Sequence, residues 1–326
     1  MSTFESWESW ESWESWESWE SWSARGGPRA GPLVALRTRE ALVWGADPTP
    51  GLPAPWPSGT ADQGLRNSSE FARRHAAIFD LLVGLDLQGG GEEFTVSGAR
   101  HPGAPLRLSI AGIDWNEQTR QVIAGADERA ERGAELLAQR SLGPALWGQL
   151  LPLGPQRTPA TLALMKLVVM LGAIVVHRVK LAFAVPRPHE RSARVQPMIE
   201  TPAFSAYPSG HATEAHAVSQ LLGLLVEPQR LGGSWAQDLC DRPNEPPGML
   251  SALAQRIADN RVIAGVHYPV DGQAGEALGR WLADWVACCA QAEGIAGAPL
   301  PWLWRQARAE WGHATPGAQP DARPAA

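Results

Sequence analysis

From Ser68 onward, apolar and polar positions recur at helical spacing, and the starts and stops of that spacing outline the elements. Ser69 can cap a helix that runs to about Leu85. Gly89, Gly90 and Gly91 mark a turn, and residues 92–113 fit either a short β-hairpin or a surface loop. Residues 115–140 hold Glu, Arg and Ala in helix-favouring runs. At Thr158-Pro159 a polar cap and a first-turn proline open a longer helix, to about Phe183. Its middle is apolar on nearly every side, which marks a core helix. Ser209 can cap the next helix, to about Val226. A polar, Pro-rich loop spans 227–247, and helices follow at about 249–264 and 270–290. Strand signal is scarce, so the expected fold class is all-α, a helical bundle.

The two ends depart from this pattern. Residues 5–22 are six Glu-Ser-Trp repeats. A period of three moves each Trp about 60° around an α-helix, so no continuous apolar face forms. Residues 1–22 therefore read as a disordered low-complexity segment. Residues 23–67 read as an irregular Gly/Pro-rich arm, and 68–297 as a single helical catalytic domain with its core motifs in 158–290. Residues 298–326 read as a C-terminal tail that frays beyond Trp311.

Composition narrows the function classes. The apolar share of 44% suits a globular core. Net charge is -6, and the six Glu of the repeat account for all of it. A neutral body argues against a nucleic-acid partner, so any positive field must be local. The longest apolar run, Leu167 to Val176, is ten residues and is flanked by charge, which predicts no membrane span. Cys240, Cys288 and Cys289 make a poor disulfide framework, and no basic-then-apolar leader opens the chain. Reduced thiols in a cytoplasmic protein are the expectation. Oligomeric state is not readable.

Three clusters carry candidate chemistry: Lys180 with Arg187-Pro188, Tyr207-Pro208-Ser209-Gly210-His211, and Arg261 with His267 and Asp271. An oxyanion needs cations and N–H donors, and chemistry on it needs a nucleophile and a proton donor. Lys180 is one of only two lysines, Lys166 being the other, and an ammonium can point at a single oxygen. Arg187 suits a two-point contact, and Pro188 should stop the preceding helix. Ser209 and Gly210 would place a helix N-terminus under the anion, with Gly210 allowing close approach. His267 and Asp271 can share one helix face, where the carboxylate would fix the imidazole tautomer. His216 and the remaining histidines receive no role, and the tryptophans outside the repeat read as packing residues.

With their spacings, these residues resemble the signature K-x6-R-P, P-S-G-H, S-R-x5-H-x3-D of the superfamily of type 2 phosphatidic acid phosphatases, class A acid phosphatases and vanadium-dependent haloperoxidases. One position departs, Asn260 standing where the signature has Ser. The resemblance covers roughly residues 158–290. It implies phosphate or vanadate held by Lys180, Arg187, Ser209, Gly210 and Arg261. His267 is then the nucleophile or vanadium ligand, Asp271 its orienting group and His211 the acid–base. Vanadate would be the cofactor of a haloperoxidase acting on hydrogen peroxide and halide. A phosphatase would need none and would hydrolyse phosphomonoesters through a phosphohistidine. Ala212-Thr213 after His211, and Phe204 before Ser209, are closer to the haloperoxidases. A third reading, a non-catalytic anion-binding protein, is disfavoured because every catalytic position of the signature is filled.

Overall fold

In the computed structural model, which describes residues 64–66, 68–99, 101, 103–226, 248–292 and 298–312, the first long helix is α1 (Glu70–Val83). The Ser69 hydroxyl caps it by accepting the Ala72 N–H at 3.1 Å. Arg74, Ala77, Ile78 and Leu81 form its buried stripe. Residues 92–113, left open between hairpin and loop, supply β2 (Glu93–Gly98) and β3 (Leu106–Ser109), which join β1 (Leu85–Gly90) in a three-stranded antiparallel sheet; Gly89 and Gly90, read as turn, end β1, and the turn is Gly91-Glu92. Alternation in β2 buries Phe94 and Val96, and Phe94 meets Phe183 edge-to-face at 6.3 Å. The sheet is small beside the helices, which set the all-α class, and its Phe94, Val96 and Leu108 join the main core.

Helices α2 (Trp115–Gly125) and α3 (Arg129–Ala138) are separated by a 3-10 turn at Ala126–Glu128. Helix α4 (Pro159–Phe183) is the core helix, buried on nearly all faces through its middle. The cap expected from Thr158 is supplied instead by Glu310, whose carboxylate accepts the Ala160 and Thr161 N–H groups at 2.7 and 2.9 Å. The Thr158 hydroxyl is turned back onto Gly154. Nor does Pro188 stop this helix: α4 ends at Ala184, which sits in the left-handed region at φ 49°. Pro188 is instead the first residue of a short turn, α5 (Pro188–Arg191).

Helix α6 (Gly210–Leu225) lies at the centre, packed on α4, α7 (Met249–Ile263) and α8 (Pro269–Gln291). Against α8 the two backbones nearly touch. A Cβ on Gly279 would stand 2.3 Å from the Thr213 carbonyl oxygen, and one on Gly275 would stand 2.8 Å from the Ser209 carbonyl oxygen. His216 is buried at this contact, as core rather than surface. Residues expected to be a tail from 298 instead form α9 (Pro299–Glu310), whose Leu300, Trp302, Leu303 and Trp304 join the main core. Trp281, Trp285 and Trp311 are core residues too, in line with the packing reading. Over Pro159–Arg191 the chain is long and apolar enough to cross a membrane by length and composition, beyond what the ten-residue run suggested. Yet 78% of that apolar window is buried inside the protein. The Glu-Ser-Trp repeat, the arm up to residue 63, the loop 227–247 with Trp235 and Cys240, and residues 313–326 lie outside the described residues.

Candidate active site

Each sequence cluster sits at an element boundary, and those boundaries meet at one end of the bundle. Lys180 is in the last turn of α4, Arg187 precedes α5, and Ser209 and His211 open α6. Arg261 is in the last turn of α7, and His267 and Asp271 flank the start of α8. Lys180, Arg187, Ser209, Arg261, His267 and Asp271 are each at most 6% exposed. His211 is half-buried.

His267 is the centre. Its Nδ1 donates to Asp271 Oδ2 at 2.9 Å, and the Tyr268 N–H donates to the same oxygen at 2.9 Å. Its Nε2 lies 3.1 Å from Arg187 Nη1, which can only donate, so Nε2 carries the lone pair. Both ring nitrogens therefore specify one neutral tautomer. Burial pushes the His267 pKa well below the ordinary histidine range, and the charges of Arg187, Lys180, His211 and Arg261 push the same way. That four groups from three sequence clusters act on one imidazole is the electrostatic sign of their convergence. Burial raises Asp271 to about 7, while the Tyr268 N–H and the charges of Lys180 and Arg187 pull it back. The Asp271 carbonyl accepts the Ser209 N–H at 3.0 Å, which ties the second cluster to the third.

The cations are held by backbone oxygens. Lys180 Nζ donates to the Ser205 and Ala206 carbonyls at 2.6 and 2.9 Å. Arg187 Nε donates to the Phe204 carbonyl, and its Nη1 to that of Val266, both at 2.8 Å. The Phe204 ring lies 5.1 Å from Lys180 Nζ and 5.2 Å from Arg187 Cζ, within cation–π range of both. Arg261 Nη2 donates to the Leu136 carbonyl at 3.3 Å.

At the head of α6 the two expected backbone donors part company. The Ser209 N–H is taken by Asp271, and its hydroxyl caps Ala212 at 3.3 Å, leaving the hydroxyl hydrogen to reach an anion. Above Gly210 a Cβ would meet nothing within 4 Å, so open space adjoins the positive end of the helix dipole. His211 Nε2 lies 2.9 Å from the Arg140 carbonyl oxygen and therefore carries the proton, with Nδ1 left as the basic atom. Burial and Arg261 push its pKa down to about 3, against the pull of the Arg140 and Gln139 carbonyls; Arg187 adds to the depression.

Leu136, Gln139 and Arg140, at the C-terminal end of α3, face Arg261 and His211, and the motifs gave no notice of them. Their contribution is backbone oxygen, which leaves no trace in side-chain identity. Gly265, inside the third cluster, was also passed over. It has φ +85°, and a Cβ there would lie 2.8 Å from Arg129 Nη2. Arg129 in turn binds the Ile263, Gln196 and Val195 carbonyls and closes the turn that leads to His267.

The donor set fits a tetrahedral or trigonal oxyanion: three buried cations, a hydroxyl, open space at a helix N-terminus, and an imidazole lone pair. Phosphate and vanadate both meet that description.

Residues 189–293 match the family model described as the VCPO second helical-bundle domain. Among solved structures, a bacterial vanadium-dependent iodoperoxidase is similar at 18% identity and a TM-score of 0.41. That alignment covers 60% of this chain and 54% of the other, so the chain matches little more than half the length of that protein. No curated protein matches.

Proposed function

We propose that this chain, whose residues 189–293 match the VCPO second helical-bundle domain, is an enzyme of the superfamily of vanadium haloperoxidases and acid phosphatases that works on an oxyanion held at His267. The lead reading is a vanadium-dependent haloperoxidase-type oxidation of halide by hydrogen peroxide. The oxyanion site rests on the single tautomer of His267, whose lone-pair Nε2 meets Arg187 and feels the charges of Lys180 and Arg261, and the lean to the haloperoxidase reading rests on Phe204, whose ring lies against Lys180 and Arg187.

Vanadate bound there supplies the centre that activates hydrogen peroxide. The protein's part is binding and proton control. Lys180, Arg187 and Arg261 neutralise the oxyanion, and Arg187 exchanges its contact on His267 Nε2 for the anion. Asp271 keeps the Nδ1 proton in place, so Nε2 stays available as a ligand. His211 Nδ1 is the atom that accepts a proton from peroxide or passes one to a departing oxygen. Phe204 shields Lys180 and Arg187 from water, which strengthens their pull on the anion.

The same residues support a second reading, phosphomonoester hydrolysis. The neutral Nε2 would attack phosphorus, His211 Nδ1 would pass to the leaving oxygen a proton taken from the bound phosphomonoester, and water would then attack the phosphohistidine and release phosphate. The neutral, desolvated imidazole favours this reading as much as the first.

The test is to assay one preparation, with and without orthovanadate, for iodide and bromide oxidation and for aryl phosphate hydrolysis. The lead reading expects peroxide-dependent halide oxidation that appears with vanadate and is lost in His267→Ala. Phosphatase activity inhibited by vanadate, with no halide oxidation, moves the assignment to the second reading. Neither activity in a folded protein sinks both.

A further inference from the structure

The Ser-to-Asn departure at position 260 lies at the buried end of a polar bridge whose other end reaches the surface. Asn260 is fully buried, and its Nδ2 donates to Gln139 Oε1 at 2.6 Å and to Glu135 Oε1 at 3.0 Å. Gln139 Nε2 donates to the same Glu135 oxygen at 3.0 Å. Arg256 grips the Glu135 carboxylate at two points, 2.6 and 2.5 Å. Asn260 and Arg256 are on α7, while Glu135 and Gln139 lie at the end of α3. The bridge therefore fastens the last turn of α3 to the helix that carries Arg261.

That last turn is where a helix leaves its carbonyls without intrahelical partners. Here they are aimed at the site. The Leu136 carbonyl takes Arg261, the Arg140 carbonyl takes His211 Nε2, and the Gln139 carbonyl also faces His211. The negative end of the α3 dipole thus points at two cationic or proton-bearing groups.

We propose that Asn260 and Gln139 are positioning residues for His211: by fastening the end of α3 to α7 they hold the Arg140 and Gln139 carbonyls on the imidazole and keep its proton on Nε2. Nδ1 is then always the atom turned toward the oxyanion. This rests on the acid–base role of His211. The bridge itself is amide-to-carboxylate, and Glu135 is kept charged chiefly by Arg256 and also by Asn260 and Gln139. The charged groups that act on His211 include Arg261 from α7 and Arg187 before α5, His267 before α8 interacts with it electrostatically, and Arg140 adjoins it through its carbonyl. On its own helix the nearest is Glu214, one turn on.

The experiment is imidazole ¹⁵N NMR on the full chain, with the His211 signals assigned by their loss in His211→Asn. Native protein should show His211 as the Nε2–H tautomer at neutral pH. In Asn260→Leu and Gln139→Leu the tautomer ratio should move toward Nδ1–H by about fivefold, the equivalent of one neutral hydrogen bond. Asn260→Ser, which replaces the amide donor with a hydroxyl donor, should fall between and guards against a leucine variant that does not fold. Folded variants with an unchanged tautomer ratio, or native His211 in the Nδ1–H form, overturn the proposal. The role it rests on is judged separately: if His211→Ala leaves the rate of the identified reaction intact, that role fails whatever the tautomer.

Discussion

At His267 the contacts and the burial agree on one imidazole state: Asp271 on Nδ1, Arg187 on Nε2, and a pKa that burial and the neighbouring charges depress. Glu214, on the same helix as His211, shows the opposite arrangement. It is buried, its Oε2 has no hydrogen-bond partner, and burial raises its pKa to about 8. A carboxyl of this kind keeps its proton in the folded state where the unfolded chain has already released it. Stability therefore falls as pH rises from the ordinary glutamate range towards 8. Glu214→Gln should remove that loss. Relative to the native protein, the variant should gain up to about 4 kcal/mol between pH 5 and pH 8. Urea midpoints at the two pH values check this; a difference that does not change with pH would show that Glu214 is ionised in place.

Between elements, the decisive contact is α6 against α8. Gly275 and Gly279 let the α8 backbone reach the first turn of α6, and the same approach brings Ser209 to Asp271 and the two motif histidines into one site. Gly279→Ala should overpack this contact and destabilise by about 1–3 kcal/mol. Gly272→Ala, whose Cβ would meet only Ala258 at 3.8 Å, should be near neutral or mildly stabilising. Thermal unfolding of both variants tests this, and equal losses would mean the backbones are not as close as described. Along the chain, the helix starts at Ser69 and Ser209 were legible because their caps are local, within three residues. The start of α4 was located correctly from Thr158-Pro159, yet its true cap is Glu310, 150 residues away, which no local pattern can report.

For the whole molecule, the C-terminal segment matters more than its composition suggests. α9 contributes Leu300, Trp302, Leu303 and Trp304 to the core, and Glu310 closes the head of the helix that ends in Lys180. Deleting residues 298–326 should abolish cooperative unfolding or lower Tm by more than about 10 °C, since several large apolar side chains and a helix cap go together. A truncated protein that melts within about 2 °C of the full chain would restore the reading of this segment as a tail.

The sequence alone determined the helical class and the approximate limits of α1, α4, α6, α7 and α8, and it nominated the candidate site residues that the fold gathers. Caps, apolar periodicity and motif spacing are local quantities, and each is written within a few residues. Tertiary structure decided the rest. It made the ambiguous stretch after Gly91 a sheet, because Phe94 and Val96 found a core to enter. It turned the C-terminal segment into a core helix, gave Glu310 to α4, and set the carbonyl end of α3 against His211 and Arg261. These depend on which distant surfaces meet and on backbone atoms common to every residue, so side-chain identity does not encode them one position at a time.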